Sequence, residues 1–354
     1  MVLLLACAMV ATDFVRHPFQ GAAPGDAASG RRDVTLWLAG TDAGTVPARL
    51  ARAAARQLGE PGASARVETV RGGSSAAVLA VLDDEAGTSA PLLVVHAGTL
   101  ADLARERGDA GLPGVPEQAR RATRLLRAAR PLALLADDTL VVASSARSGP
   151  RTPAALLASL RRAPGRLVFG IGGDAWSYMA LAGFVSSANA SGRVPYRVVP
   201  AIGSDVALAE RDVDVVLAPA SELHGQTTRG ALRPLAQSDR GPRVDRRLRV
   251  GPAVGADAAL PPLADLLADD GPVAHAHRWV ALVAPATLPA RERRALSPRL
   301  RALVRSRAWA RVLRRTGLGR APASTPARTV ARAWTETDAL TTAAARVDRL
   351  AVSP

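Results

Sequence analysis

The sequence contains no lysine, a single cysteine and few aromatic residues. With Cys7 as its one cysteine, the chain can form neither an internal disulfide nor a metal site built from several thiolates. Aromatic residues make up 3% of the chain, so its core must rely on Leu, Val and Ala. The same scarcity argues against a surface of interleaved aromatic side chains on which nucleic-acid bases could stack.

The formal net charge is +15, and because lysine is absent, the cationic residues other than histidine are all arginine. A basic chain invites the prediction of a nucleic-acid partner, but the arginines are scattered and become dense only between Arg291 and Arg315. We interpret that stretch as the solvated face of a helix and predict no nucleic-acid binding. Abundant Ala, Gly and Pro beside the missing lysine are typical of a GC-rich genome.

Composition and length are those of a folded globular protein. Hydrophobic residues make up 48% of the chain and charged residues 22%, and 354 residues leave room for two domains. His275 and His277 have no other His or Cys near them in the sequence, so we predict no metal site. Ser177 lacks the flanking glycines of a nucleophile elbow, and no Ser–His–Asp or Cys–His set can be assembled. We predict that the protein is not an enzyme and needs no cofactor.

The N-terminus carries signals of export. Val2 to Ala11 is an apolar run too short to span a bilayer, but of the length of a signal-peptide core. Leu4-Leu5-Ala6-Cys7 resembles a bacterial lipobox, in which Cys7 would be lipidated, whereas the alternative is an ordinary apolar anchor with a chance cysteine. Gln20 to Arg32 has the composition of a flexible tether. We predict an extracytoplasmic protein, tethered to the outer face of the cytoplasmic membrane or secreted.

The most informative pattern is a strand, a glycine-rich loop and a helix, which occurs four times. Each time a short apolar run stops at glycines and a helix-like segment follows, as expected of an α/β fold with parallel strands. Such a loop directs free backbone N–H groups and the positive end of a helix to one point, which suits an anion. The four loops are Ala39 to Arg49, Arg71 to Ser75, His96 to Thr99 and Gly170 to Ser177.

The same patterns predict the remaining elements. The predicted strands are 34–38, 65–70, 91–95, 167–169, 197–199, 213–217, 232–236 and 279–284, and an apolar run over 131–143 is interrupted by Asp137-Asp138. The predicted helices are 46–58, a segment ending near 82, 100–107, 117–130, 153–162, 206–210, 290–305, 308–315 and 326–349. The polar stretch 239–262 is predicted to be loop.

Several segments together resemble the substrate-binding proteins of tripartite tricarboxylate transporters, the Bug-type extracytoplasmic receptors. The resemblance covers roughly Asp33 to Leu350, and it depends on the order and spacing of short motifs. These are Arg71-Gly-Gly-Ser74, Gly170 to Phe184, Val213-Asp-Val215, Arg229 to Ala236, Trp279 to Pro289, Thr316 to Gly319 and Ser324 to Pro326.

The resemblance implies a type II periplasmic-binding-protein fold with two α/β lobes, a chain that crosses twice between them, and a ligand cleft between the lobes. It places lobe one at 32–138 plus 248–354 and lobe two at 139–247. The implied ligand is a small organic anion, most often a carboxylate in this family, bound by backbone N–H groups of facing loops. The implied partners are membrane permease subunits, or a sensor kinase if the protein is an orphan receptor, and we expect a monomer.

The expected ligand-binding residues lie on the glycine loops and on the loops that match the family. They are Gly40, Thr41, Asp42, Gly44, Thr45, Arg71, Gly72, Gly73, Ser74, His96, Gly98, Thr99, Gly172, Gly173, Asp174, Trp176, Ser177, Tyr178, Gly203, Ser204 and Pro219. Each residue type also has a structural alternative. The glycines allow tight turns, the Ser and Thr hydroxyls cap helices, Trp176 could belong to the core, His96 could be structural, and Arg71 could be solvated.

The chain departs from the family pattern within these loops. Thr45 stands where the family has aspartate, Tyr178 stands where it has histidine, and Val199 to Gly203 lacks the family's tyrosine. A different alternative for the mid-chain loop is a Rossmann-type nucleotide site, because Gly170-Ile-Gly-Gly-Asp-Ala175 fits the pattern G-x-G-x-x-A. The next predicted strand ends in Pro200-Ala201, without the acidic residue that such a site uses to bind ribose.

Overall fold

The structure is a computed structural model of the chain, and it describes most of the residues from Val34 to Val352. The described residues are 34–39, 45–59, 64–70, 73–83, 90–108, 115–199, 213–238, 260–267, 271–318, 326–345 and 350–352.

Strands and helices alternate through most of the described chain. The strands are β1 Val34–Ala39, β2 Ala65–Val70, β3 Ala90–His96, β4 Arg130–Ala136, β5 Leu140–Ser145, β6 Phe169–Ile171, β7 Val194–Val198, β8 Val215–Pro219, β9 Leu232–Gln237, β10 Val280–Ala284 and β11 Leu350–Val352. The α-helices are α1 Val46–Leu58, α2 Ser74–Leu82, α3 Ala97–Gly108, α4 Val115–Ala128, α5 Pro153–Arg162, α6 Ala175–Ser187, α7 Ala220–Thr228, α8 Leu263–Leu266, α9 Ala290–Arg305, α10 Arg307–Arg315 and α11 Pro326–Ala345. Two short 3₁₀ helices cover Pro164–Arg166 and Pro272–His275.

The strands form two mixed sheets. The first has the order β2-β1-β3-β10-β4, in which β1 runs parallel to β2 and β3, and β10 runs antiparallel to both β3 and β4. The second has the order β11-β7-β6-β8-β5-β9, in which β5 is antiparallel to both of its neighbours. Each sheet therefore contains one strand, β10 in the first sheet and β5 in the second, that is inserted antiparallel among otherwise parallel strands.

Local sequence signals explain where several helices begin. Thr45 caps α1 by accepting a hydrogen bond from the N–H of Ala48, and Pro47 fits the first helical turn. Thr152 caps α5 in the same way through the N–H of Ala155. Ser306 interrupts the long C-terminal helical region and caps α10 through the N–H of Trp309.

The apolar side chains pack in three clusters. One cluster fills the outer face of the first sheet beneath α1, α9 and α10, and a smaller cluster fills one face of the second sheet beside α7. The remaining cluster is continuous across both sheets, where α2, α3, α6 and α11 pack together. Alternation along β5 shows the pleat, because Leu140 and Val142 face the shared cluster while Val141 and Ala143 face the smaller one.

The chain passes between the two sheets three times in the described residues. It leaves the first sheet after β4, returns with β10, and ends with β11 at the edge of the second sheet. There Leu350, Ala351 and Val352 pair in parallel with Val194, Pro195 and Tyr196 of β7. The resemblance implied two crossings, and the third follows from this terminal strand, which covers a sheet edge that would otherwise present unpaired backbone groups.

The structure confirms most predicted elements within a few residues, and α1, β2, α5 and α9 have the predicted bounds. One prediction was wrong in a way that matters for function: α3 begins at Ala97 directly after β3, so no glycine loop lies between Val95 and Leu100. The strand predicted at 197–199 begins at Val194, and neither α7 nor β11 was predicted. The predicted helix at 206–210 lies outside the described residues.

Candidate functional site

The carboxyl ends of the parallel strands in one sheet face those of the other. His96 ends β3, Ala136 ends β4, and β10 begins beside them, because Val280 pairs with both His96 and Ala136. In the second sheet Ile171 and Pro219 end β6 and β8 at the edge where β5 begins. Only the three residues 137–139 separate β4 from β5. The two edges are thus held close together, which is where open α/β sheets bind ligands.

The segments that connect the sheets are hydrogen-bonded to one another at this junction. The N–H of Arg278 donates to the carbonyl of Asp138 at 2.8 Å, and Thr139 forms an antiparallel bridge with His277. The hydroxyl of Ser238 donates to the carbonyl of Ala276 at 2.6 Å and accepts from the N–H of Leu140 at 3.1 Å. These contacts tie together the two chain segments that cross between β4 and β5 and between β9 and β10.

A buried arginine lies at the centre of the junction. The side chain of Arg278 is 16% exposed and donates from one Nη to Asp174 at 2.9 Å and from the other Nη to Glu222. Asp174 precedes α6 and Glu222 lies in the first turn of α7, whereas Arg278 lies two residues before the start of β10 in the first sheet. The guanidinium therefore connects the first sheet to two helix N-termini of the second.

A buried carboxyl group lies beside this arginine. Asp138 is 4% exposed and accepts hydrogen bonds from the N–H of Ser221 at 3.2 Å and from its hydroxyl at 2.5 Å. Burial raises the pKa of Asp138 from 3.8 to about 7, against the opposing effect of the bonds from Ser221. Asp138 therefore titrates near neutral pH while it occupies the N-terminus of α7.

His96 contributes a neutral imidazole to the same junction. Burial, together with the positive charge of Arg278, lowers the pKa of His96 from 6.5 to about 4, against the opposing effect of Asp174. Among the described residues its Nδ1 is buried without a hydrogen-bond partner. The backbone N–H of His96 donates to the hydroxyl of Thr99 at 3.3 Å, and Gly98 faces the imidazole ring. Because the side chain of Thr99, three residues further on, accepts this hydrogen bond, α3 begins directly after β3. The loop predicted at this place is therefore absent.

The N-terminus of α2 is already bound to an internal carboxylate. The N–H groups of Ser74 and Ser75 donate to the carboxylate of Glu106 at 3.1 and 3.2 Å, and the hydroxyl of Ser74 donates to Asp102 at 3.2 Å. A β-carbon on Gly73 would lie 2.6 Å from Oε1 of Glu106, so this approach requires glycine. Burial raises the pKa of Asp102 to about 6. In the structure, therefore, the anion at this helix N-terminus is a side chain of α3.

The loop between β6 and α6 has the predicted strand–loop–helix form. Asp174 caps α6 by accepting from the N–H of Ser177 at 2.8 Å. The hydroxyl of Ser177 is buried and has no partner among the described residues, and it lies 2.8 Å from where a β-carbon on Gly172 would be. Trp176 is 1% exposed and belongs to the shared core cluster, and the ring of Tyr178 packs edge-on against Tyr196.

Some of the other expected binding residues are described by the structure, and the rest are not. Pro219 ends β8 directly before α7, and Thr45 serves as the helix cap described above. The predicted lipidation site Cys7 lies outside the described residues. So do the expected binding residues Gly40, Thr41, Asp42, Gly44, Arg71, Gly72, Gly203 and Ser204.

Sequence reasoning missed four residues that dominate the junction: Arg278, Glu222, Asp138 and Ser221. Two of them left a signal. Asp138 belongs to an acidic pair that interrupts an apolar run, and Arg278 directly precedes a buried strand. Neither signal identifies the partner, because the hydrogen bonds join residues 56 to 104 positions apart.

The same contacts argue against the Rossmann alternative. In a dinucleotide site the pyrophosphate lies at the helix N-terminus that follows the glycine loop. Here the carboxylate of Asp174 occupies that N-terminus and pairs with Arg278. A pyrophosphate would meet a negative charge where it needs free N–H groups.

Outside the junction, a groove of about 450 Å³ lies between the end of α1 and α9, lined by Leu58, Arg299 and Ser306 among others. It is far from the strand ends where the polar side chains converge, so we do not assign it to the site. The described residues include no group of three His, Cys, Asp or Glu side chains placed to hold a metal ion. None of the described helices combines the length and the apolar character that crossing a membrane requires.

Two sheets whose carboxyl ends face one another across hydrogen-bonded crossing segments define the two-lobed periplasmic-binding-protein fold. The order β2-β1-β3-β10-β4 in the first sheet fits that class, and solved structures of such proteins match the chain over nearly its whole length. No known protein-family profile matches the sequence, and no curated protein sequence matches it.

Three solved structures illustrate the likeness in fold. A TctC solute-binding protein from Polaromonas has a TM-score of 0.65 at 16% identity, with 91% of this chain and 100% of that chain covered. A protein of Rhodopseudomonas palustris with adipate has a TM-score of 0.62 at 18% identity, covering 90% and 99%. MatC from R. palustris with bound malate has a TM-score of 0.61 at 15% identity, covering 88% and 99%.

Proposed function

We propose that the protein is an extracytoplasmic solute-binding protein that captures a small carboxylate for a transporter of the tripartite tricarboxylate type. The observation that carries this proposal is the buried Arg278 at the junction where the carboxyl ends of both sheets meet. A guanidinium offers paired N–H donors that match the geometry of a carboxylate. In this function the protein binds and releases the solute without changing it chemically.

The fold supports the choice of ligand class. The similar structures from R. palustris contain malate and adipate, both small dicarboxylates. We carry that class to this chain because its junction offers a cationic side chain together with the hydroxyl of Ser177. We further propose lobes at 32–138 plus 248–354 and at 139–247, with the terminal strand β11 added to the second lobe.

A screen of small carboxylates by thermal shift tests this function. A ligand present at about 100 times its dissociation constant stabilises a protein by roughly 2.7 kcal/mol. We therefore expect malate, adipate or a related mono-, di- or tricarboxylate to raise the melting temperature, whereas NAD and a cationic solute such as putrescine leave it unchanged. If no carboxylate in the panel stabilises the protein, or if NAD does, the proposed function is wrong.

We also propose that the protein is anchored outside the cytoplasmic membrane through Cys7. The support is the apolar segment Val2 to Ala11, the lipobox-like Leu4 to Cys7 and the tether-like Gln20 to Arg32. Cell fractionation is expected to recover the protein in the membrane fraction, and Cys7→Ala is expected to release it from that fraction. A cytoplasmic pool with an intact N-terminus would contradict both parts of the proposal.

A further inference from the structure

Arg278 pairs with more carboxylates than its single charge neutralises. One guanidinium faces two carboxylates, Asp174 and Glu222, and the buried carboxyl of Asp138 also interacts with it electrostatically. One carboxylate is enough to neutralise the arginine, and Arg49 of α1 is a further cation that interacts electrostatically with Glu222. One of the two acidic partners of Arg278 is therefore replaceable by the carboxylate of an anionic solute.

Two further polar groups at the junction have donors or acceptors to spare. The hydroxyl of Ser177 and Nδ1 of His96 are both buried, and both lack a hydrogen-bond partner among the described residues. Leaving such groups unsatisfied costs free energy in a folded protein. His96 is close enough to Arg278 and Asp174 for both charges to affect its pKa. Ser177 follows Asp174 by three residues and donates its N–H to that carboxylate.

We propose that Arg278 binds a carboxylate of the solute, and that Glu222 occupies the guanidinium until the solute displaces it. This assignment rests on the proposed function and names the residue that would recognise the solute. Two buried groups of the same junction, Nδ1 of His96 and the hydroxyl of Ser177, supply hydrogen bonds to the solute once it is bound.

The two acidic partners of Arg278 are held differently, which identifies Glu222 as the one that leaves. Asp174 is fixed as the cap of α6, because its other oxygen accepts from the N–H of Ser177 at 2.8 Å. Displacing it would uncap the helix. Within the described part of the chain, the carboxylate of Glu222 has one hydrogen bond, which comes from Arg278. Burial also raises the pKa of Glu222, so this side chain gives up its charge more readily than an ordinary glutamate.

Variants of these two residues are expected to shift solute affinity in opposite directions. Arg278→Gln removes the guanidinium and should weaken binding of malate and adipate by at least about tenfold, as expected for the loss of charge-assisted hydrogen bonds. Arg278→Lys keeps the charge but loses the planar fork, so its affinity should lie between those of Arg278→Gln and the natural protein. Glu222→Gln keeps the shape but removes a negative charge, and it should tighten binding by about tenfold.

Isothermal titration calorimetry with malate and with adipate on the full-length protein measures these changes. Circular dichroism melting of each variant establishes whether it is folded. Arg120→Gln is the matched control, because Arg120 makes an exposed ion pair with Glu117 on the surface of α4. This control should bind like the natural protein.

The outcomes separate this assignment from the proposed function. If the natural protein binds malate or adipate and Arg278→Gln binds it equally well, Arg278 is a structural link only and the assignment is wrong. Weaker binding by Glu222→Gln would also overturn it, since a competitor cannot strengthen binding. Glu222→Gln retains the shape of glutamate and its ability to accept a hydrogen bond. It therefore tests whether Glu222 competes with the solute even if Arg278→Gln does not fold. If the natural protein binds no carboxylate, the proposed function fails and this assignment fails with it.

Discussion

Gly173→Val is expected to abolish solute binding while leaving the protein folded. Gly173 lies in the loop between β6 and α6, one residue before the Asp174 that pairs with Arg278. A β-carbon at this position would meet Cγ1 of Val198 at 3.5 Å, an ordinary contact, so the backbone of the loop has room for a side chain here. The valine side chain would, however, keep a solute from approaching the loop backbone closely.

Titration calorimetry with malate and adipate measures the loss of binding, and a melting curve shows whether the Gly173→Val variant is folded. Thr45→Ala is the comparison in the first sheet, because its hydroxyl caps α1 through the N–H of Ala48. It should cost about 1 kcal/mol of stability, the typical value of a lost cap, and leave binding in place. If Thr45→Ala removes binding and Gly173→Val does not, the segment before α1 carries the binding energy instead of the loop between β6 and α6, and this prediction is wrong.

Asp138→Asn is expected to remove a large part of the protein's dependence of stability on pH. Because burial raises the pKa of Asp138 from 3.8 to about 7, the folded state holds a proton that the unfolded state has released between these values. The stabilisation is complete below about pH 4 and is lost as pH rises through about 7. At about 1.4 kcal/mol for each pKa unit, the loss is on the order of 4 kcal/mol. Asparagine does not titrate, so the stability of Asp138→Asn does not fall in this way as pH rises.

Urea unfolding at about pH 5 and about pH 8 tests this linkage. The free energy of unfolding of Asp138→Asn, relative to the natural protein, should increase by a few kcal/mol from the lower to the higher pH. The raised pKa of Asp102 lowers stability as pH rises, whereas the lowered pKa of His96 increases it. Both residues are present in the natural protein and in Asp138→Asn, so their effects cancel in the comparison. A difference that is the same at both pH values would contradict the prediction.

Asp83→Asn is the surface control for this experiment. Asp83 ends α2 and pairs with Arg121 across partly exposed side chains at 2.5 Å. Ion pairs of this kind contribute at most about 1 kcal/mol. Asp83→Asn should therefore change the free energy of unfolding by less than about 1 kcal/mol at either pH. The large change between the two pH values should be seen only when the buried carboxyl of Asp138 is replaced.

The sequence alone determined most of the secondary structure and the α/β class of the fold. The helix α1 was predictable because Thr45, Pro47 and Gly59 mark its ends, and α5 because Thr152 and Pro153 mark its start. Strands such as β3 and β10 are continuous apolar runs, as expected of buried strands in an α/β protein. The two facing lobes were implied by the resemblance to the family, not by the order of strands, glycine loops and helices.

The local sequence pattern predicted the wrong secondary structure where a single hydrogen bond or a packing contact decided the conformation. The glycine of His96-Ala-Gly-Thr99 suggested a loop, but the hydroxyl of Thr99 accepts from the N–H of His96 and α3 starts at once. The polar helix α7 and the short strand β11 lack a strong hydrophobic period of their own. They become regular because of what they pack against: Ala220 donates its N–H to Thr139, and β11 pairs with β7.

Only the tertiary structure decided which charges meet at the junction. Arg278 meets Asp174 and Glu222 across 104 and 56 positions of sequence, Asp138 meets Ser221 across 83, and Glu106 meets Ser74 across 32. Periodicity and capping signals extend over one or two turns, so they place a helix N-terminus without showing which anion occupies it. The sequence determined that helix N-termini and strand ends would converge, whereas the folded chain decided that its own carboxylates and Arg278 would fill that space, because such pairings depend on distance in three dimensions.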